Sequence, residues 1–287
     1  MHEHNKGILL MIVTTILFAS QDTITKYLGQ SIPILQFVGV RYIAFFLFAL
    51  WWTTRNSSLK EVVKVKNPWL QASRGIILGV EVLAFGYVIR ELGVGEMQSI
   101  FMAYPLIVTA LSPYVLGEAV GWKRWAAVCI GFAGTLIIIA PGSASFTIYS
   151  LMALGLAVMI AIYTLLTRMV SRTDSTDSSL FYTATFGALV SVPFLPSVWQ
   201  PLNLEQSLFV AVLCITGAMS HFFMIMALRL TPVVILQPFN YLVLPWAIFL
   251  GYLFFGEVIP LHKWYGIALV IGAGVFIALR QRQIKGV

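Results

Sequence analysis

Charge is what this sequence has least of. Only 10% of its 287 residues are charged, while 59% are hydrophobic. Soluble domains carry roughly 25% charged residues; a soluble chain this apolar lacks the polar surface to cover itself. Cysteine is nearly as scarce. Cys129 and Cys214 both lie inside apolar runs, with no CxxC spacing and no ligand set beside them. That argues against a disulfide framework or zinc site, and both thiols read as small packing residues. There is no Walker loop, no HExxH and no Ser-His-Asp or acidic metal cluster, so no cofactor, metal or ATP coupling is indicated. The +7 net charge is scattered between apolar runs rather than gathered on a polar face, which disfavours nucleic acid as a partner. The first apolar run leads into further runs with no small-residue cleavage site before a soluble domain, so it reads as a span rather than a removed leader.

Long apolar runs are abundant. A membrane-spanning helix takes about 20 mostly apolar residues. Ten such segments fall near 7–27, 33–52, 70–92, 96–116, 122–140, 148–170, 178–199, 206–228, 233–254 and 261–280. The connections are short, the longest being "TTRNSSLKEVVKVKNP" at 53–68, and leave no room for a soluble domain. The reading is an all-α integral membrane protein with lipid as its surroundings.

Lysine and arginine set the expected orientation. With the N-terminus cytoplasmic, the even-numbered loops and both tails hold 14 of the 18 basic residues. The opposite side holds Lys26, Arg90 and Lys263, and Arg41 is left within a span. Both termini are therefore expected in the cytoplasm, in the cytoplasmic (inner) membrane. Trp51, Trp52, Trp69, Trp122, Trp125, Trp199 and Trp264 fall near span ends, as an interfacial belt does.

The chain repeats itself. "LGEAVGWKRWAAVCIGFAGTLII" at 116–138 matches "FGEVIPLHKWYGIALVIGAGVFI" at 255–277, placing Gly117, Glu118 and Trp125 on Gly256, Glu257 and Trp264. Upstream, Gln98 matches Gln237, and Pro105 matches Pro245 with a one-residue slip. The expected division is 1–143 and 144–287, five spans each. An odd number of spans per repeat inserts the second half upside down, and inverted repeats place a binding site near the midplane between halves.

These features resemble the drug/metabolite transporter superfamily, EamA type. The resemblance rests on the two Gly-Glu motifs, the Trp-bearing helices after them, "ALRLTPVVILQPFNYLVLPWAIFLGYLFFGE" at 227–257, and "FASQDTITKYLGQ" followed by "VRYIAFFLFA". It implies ten helices in two inverted five-helix repeats around a central cavity, with helices one, three, four, six, eight and nine surrounding it. It also implies substrates such as amino acids and their relatives, nucleoside-like compounds or heteroaromatics such as riboflavin.

Ionisable groups inside a span are costly and mark pathways or buried pairs. Glu81 sits mid-span, too deep to snorkel, and points away from the face carrying Gly75 and Gly79. It reads as a carboxylate for a substrate amine or a proton, with Arg41 as a structural counter-ion for it or for Asp22. On the first span Gln21 and Thr25 share a polar face and are expected in the pathway, while Asp22 and Lys26 have the i, i+4 spacing of a local ion pair. Gln98 and Tyr104 in the fourth span, His221 in the eighth, and Gln237, Asn240 and Tyr241 in the ninth complete the expected substrate-binding set. Glu81, Asp22 and His221 are the expected proton-coupling groups. Glu118 and Glu257 read as caps on the helix that follows each. The function expected is alternating-access transport of a small organic metabolite, with protons as a coupling partner to test. The alternative is an intramembrane lipid-modifying enzyme; a sensing receptor is disfavoured because the loops offer little surface.

Overall fold

The computed structural model describes residues 2–56, 58–117, 120–142, 146–231, 236 and 239–285, with side chains at 2–4, 56, 221, 225, 228, 229 and 281–285 left aside. Among these residues every regular element is a helix. Nine segments are long and apolar enough to cross a membrane, and a tenth, Val243–Phe255, is the described part of the ninth span.

The first three spans are α1 (His2–Gly29), α2 (Ile34–Asn56) and α4 (Pro68–Leu92). Between α2 and α4 the expected loop folds a short helix, α3 (Leu59–Val63), because Ser58 and Glu61 form a reciprocal capping box. The fourth span is two helices, α5 (Val94–Phe101) and α6 (Tyr104–Leu116). The fifth and sixth are α7 (Trp122–Ile139) and α8 (Ile148–Val170). The seventh is α9 (Thr176–Ser191), extended through a 3-10 turn into α10 (Leu195–Val198). The last three are α11 (Leu204–Leu230), α12 (Val243–Phe255) and α13 (Leu261–Lys285).

Proline breaks the fourth and ninth spans at matching places. Pro105 has no N–H to offer the carbonyl of Phe101, and the chain tightens through Met102 and Ala103, whose N–H groups bond back to Gln98 and Ile100. Pro245 does the same to Tyr241, and Leu242 bonds back to Phe239. Broken helices that free backbone groups at depth are tolerated where protein or a cavity receives them.

The helices pair across the halves. α1 packs on α11 as α8 packs on α4; α2 lies on α9, α5 on α12, and α7 on α13. Contacts of the first repeat with the second, swapped one for one, are what an inverted pseudo-twofold produces. Close approaches use glycine. A methyl on Gly75 would meet the Tyr182 carbonyl oxygen at 3.0 Å, and one on Gly79 the Gly187 Cα at 3.0 Å, so this face of α4 is the face packed on α9. Cys129 is exposed on the lipid-facing side of α7 rather than packed, because the Gly131 and Gly134 face of that helix is the one that turns inward.

Candidate substrate pathway

A cluster of interior polar groups converges from four helices of the first half. Asp22 on α1 accepts a hydrogen bond from Gln98 Nε2 on α5. Glu81 on α4 is buried, and Asp22 and the Arg41 guanidinium on α2 both lie within its electrostatic reach. Arg41 acts on Asp22 as well. The Arg41 charge therefore bears on both carboxylates. Gln98 spends its amide N–H on Asp22, and its buried Oε1 has no partner among the described residues. The α5/α6 break sits beside it, and there Phe85, Phe101 and Tyr104 form an aromatic wall, with ring centroids 5.2 Å and 5.8 Å apart.

The expected Asp22–Lys26 pair is not made. Lys26 leaves α1 in the direction of Glu257 and forms an ion pair with it. Glu257 also accepts the backbone N–H groups of Val94 and Gly95, each at 3.2 Å. It therefore caps the first turn of α5, in the other half, and not the helix that follows it. The reason is space: Gly93, at φ +97°, and Gly251 leave the carboxylate room against the α5 N-terminus, where unpaired N–H groups and the helix dipole favour an anion. Beside it Lys263, 2% exposed, pairs with Glu96 at 2.6 Å. Arg90 pairs with Glu91 at 2.8 Å. All three cations at the end distal to the N-terminus are thus matched by carboxylates.

At the proximal end a second buried hub joins three spans. Arg74 lies in the second turn of α4 and is 2% exposed. It donates to Gln71 Oε1 at 2.8 Å, the Ser179 carbonyl at 2.7 Å and Thr167 Oγ1 at 3.2 Å. Gln71 in turn donates to Asp174 at 2.8 Å. Burial pushes the Asp174 carboxyl up, but hydrogen bonds from Gln71, the Lys66 backbone and Thr173, with the Arg74 charge, outweigh it and hold the group below its ordinary value. Nothing local in the sequence marks this hub, since its partners are about 100 residues apart.

The other expected residues scatter. Gln21 donates to Ser220 Oγ at 3.1 Å and the Thr216 carbonyl at 3.4 Å, a contact between α1 and α11. Thr25 is buried against α4, its methyl 3.6 Å from where a Gly86 Cβ would stand. Tyr241 is buried beside Gly274 on α13, and its hydroxyl has no partner among the described residues. Asn240 is half-buried just ahead of the ninth-span break. Gln237, Glu118 and the His221 side chain lie outside the described residues.

Among the described residues, nine membrane-length segments and a shorter tenth, the fourth and ninth spans broken at matching prolines and the halves pairing helix on helix, define a helical membrane carrier. The EamA-like transporter family matches residues 5–140 and again 147–279, so the chain belongs to that family. Among its relatives is an S-adenosylmethionine uptake transporter of Rickettsia prowazekii, 24% identical over 96% of this chain and 94% of that protein. A riboflavin transporter of Brucella anthropi is 25% identical over 96% of this chain and 98% of that protein. A solved crystal structure shares the fold at TM-score 0.66 and 19% identity, over 96% of this chain and 98% of its own.

Proposed function

We propose that this protein is a transporter, not an enzyme, that carries a small organic metabolite across the cytoplasmic membrane by alternating access, its halves dividing at residues 143 and 144. The observation that supports it most directly is the interior cluster of Asp22, Gln98, Arg41 and Glu81, drawn from four spans of the first repeat and read in a family of transporters. With both acids ionised, two carboxylates and one guanidinium carry one negative charge in excess, and the aromatic wall offers a face to a ring. That combination suits a cationic, ring-bearing solute of the S-adenosylmethionine kind better than neutral riboflavin. A proton on either acid balances the same charge when no solute is bound, which would couple the two.

The distal network is the closed gate of this cycle. Lys26, Glu257 and the α5 N-terminus tie α1, α5 and the turn after α12 together, between the cluster and the distal end. The concentration of Lys and Arg at the other end supports a cytoplasmic placement for both termini. The direct test is proteoliposome uptake of labelled S-adenosylmethionine and riboflavin, with and without an imposed pH gradient. Uptake of the cation above that of riboflavin is expected. Folded protein that moves neither compound, nor any member of a broad metabolite panel, would overturn the reading.

A further inference from the structure

The lipid-facing side of the bundle carries a crevice of about 430 Å³ between α7 and α13. Its shape follows from the repeat. Near the distal end the two helices touch backbone to backbone, and a methyl on Gly134 would meet the Gly266 carbonyl oxygen at 2.7 Å. The internal repeat maps Gly134 onto Ala273 and Gly266 onto Ala127. At the symmetry-related place nearer the proximal end the contact therefore has alanines where the distal one has glycines. The helices stand further apart there and the crevice opens. Ala127 and Ala273 lie along it, Ile130, Leu269 and Phe276 wall it, and Trp122 stands at its mouth.

The mouth is basic. Lys123, Arg124 and Arg280 line a smaller recess that adjoins the crevice, and Lys123 lies 5.7 Å over the Trp122 ring. From Trp122 to Ile130 the α7 wall rises about 12 Å at 1.5 Å per residue. One leaflet's hydrocarbon is about 15 Å deep, half of the ~30 Å core. An apolar slot of nearly one leaflet's depth, closed at its inner end by the glycine contact and rimmed by cations at headgroup level, matches one chain and one phosphate of a lipid.

We propose that this crevice is a binding site for a single anionic phospholipid, with an acyl chain between α7 and α13 and its phosphate on Lys123, Arg124 and Arg280. The assignment is independent of what the protein transports. Basic recesses between membrane helices hold anionic headgroups by charge, and the adjoining groove supplies contact for the chain.

The test uses the full chain in mild detergent, with dioleoyl phosphatidylglycerol and dioleoyl phosphatidylethanolamine as probes in native mass spectrometry. The wild type is expected to retain one phosphatidylglycerol in preference to phosphatidylethanolamine. Lys123→Gln should weaken that adduct about fivefold, the scale of one basic side chain near an anionic surface. Gly272→Leu is the second variant: Gly272 lines the crevice and a Cβ there meets nothing within 4 Å, so a side chain can leave the helix into the slot. It should abolish the adduct while the lipid-free melting temperature stays unchanged. Equal retention of both lipids, or an adduct that survives Gly272→Leu, overturns the assignment. So does a protein dimer that Gly272→Leu dissociates, since a second copy would then be the occupant.

Discussion

Asp22 and Gln21 are neighbours in sequence and point to different partners, one to α5 and the other to α11. Their substitution should therefore read out differently. Asp22→Asn and Glu81→Gln are expected to cut transport at least tenfold with little loss of folding. Gln21→Met should leave transport of the surviving protein near normal but lower its melting temperature, since a buried polar contact between helices is worth about 0.6 kcal/mol in membranes. Transport rates and melting curves on the same preparations separate the two. Asp174 gives a pH signature. Its carboxyl is held low in the folded protein, so its stabilisation is complete above the unfolded value near 4 and fades as pH falls through the lower folded value. Melting temperature followed from about pH 5 to pH 3 should drop less for Asp174→Asn than for the wild type. Equal slopes would remove Asp174 from the proximal hub.

At the scale of elements, the span boundaries were legible because a twenty-residue apolar run has few alternatives; the break that splits the fourth span before Pro105 was not read from the run. Partner choice was not legible either. The i, i+4 spacing of Asp22 and Lys26 favoured a local pair, but a carboxylate in a neighbouring half, already drawn to the open N–H groups of α5, offers Lys26 a better place. Such a preference depends on three-dimensional register, which periodicity does not carry. If Glu257 holds the distal gate, Glu257→Gln should raise labelling of a cysteine placed at Gln98, in a background lacking Cys129 and Cys214, by an impermeant maleimide added from outside. Arg90→Ala, which breaks a partly exposed pair with Glu91 and a contact with the Tyr87 ring, is the control and should leave labelling unchanged. Unchanged labelling in Glu257→Gln would leave the network as a static brace.

For the whole molecule, the internal repeat announced two halves, and the structure adds that they are mutually dependent. Most large helix contacts run between halves: α1 on α11, α4 on α8 and α9, α7 on α13. Residues 1–143 and 144–287 expressed as separate chains are expected to co-purify and regain the intact protein's melting behaviour, while each alone is degraded or aggregates. A stable, monodisperse single half would contradict this.

The Gly134–Gly266 contact has one more consequence. Side chains that mesh can swap partners by changing rotamer, but two backbones in contact have nothing to swap. Whatever rocks when the carrier turns its site from one face to the other, α7 and α13 must turn about that point as a hinge pin. Their lengths on either side of it then set how far each face swings, and the longer arms lie toward the end that carries the N-terminus.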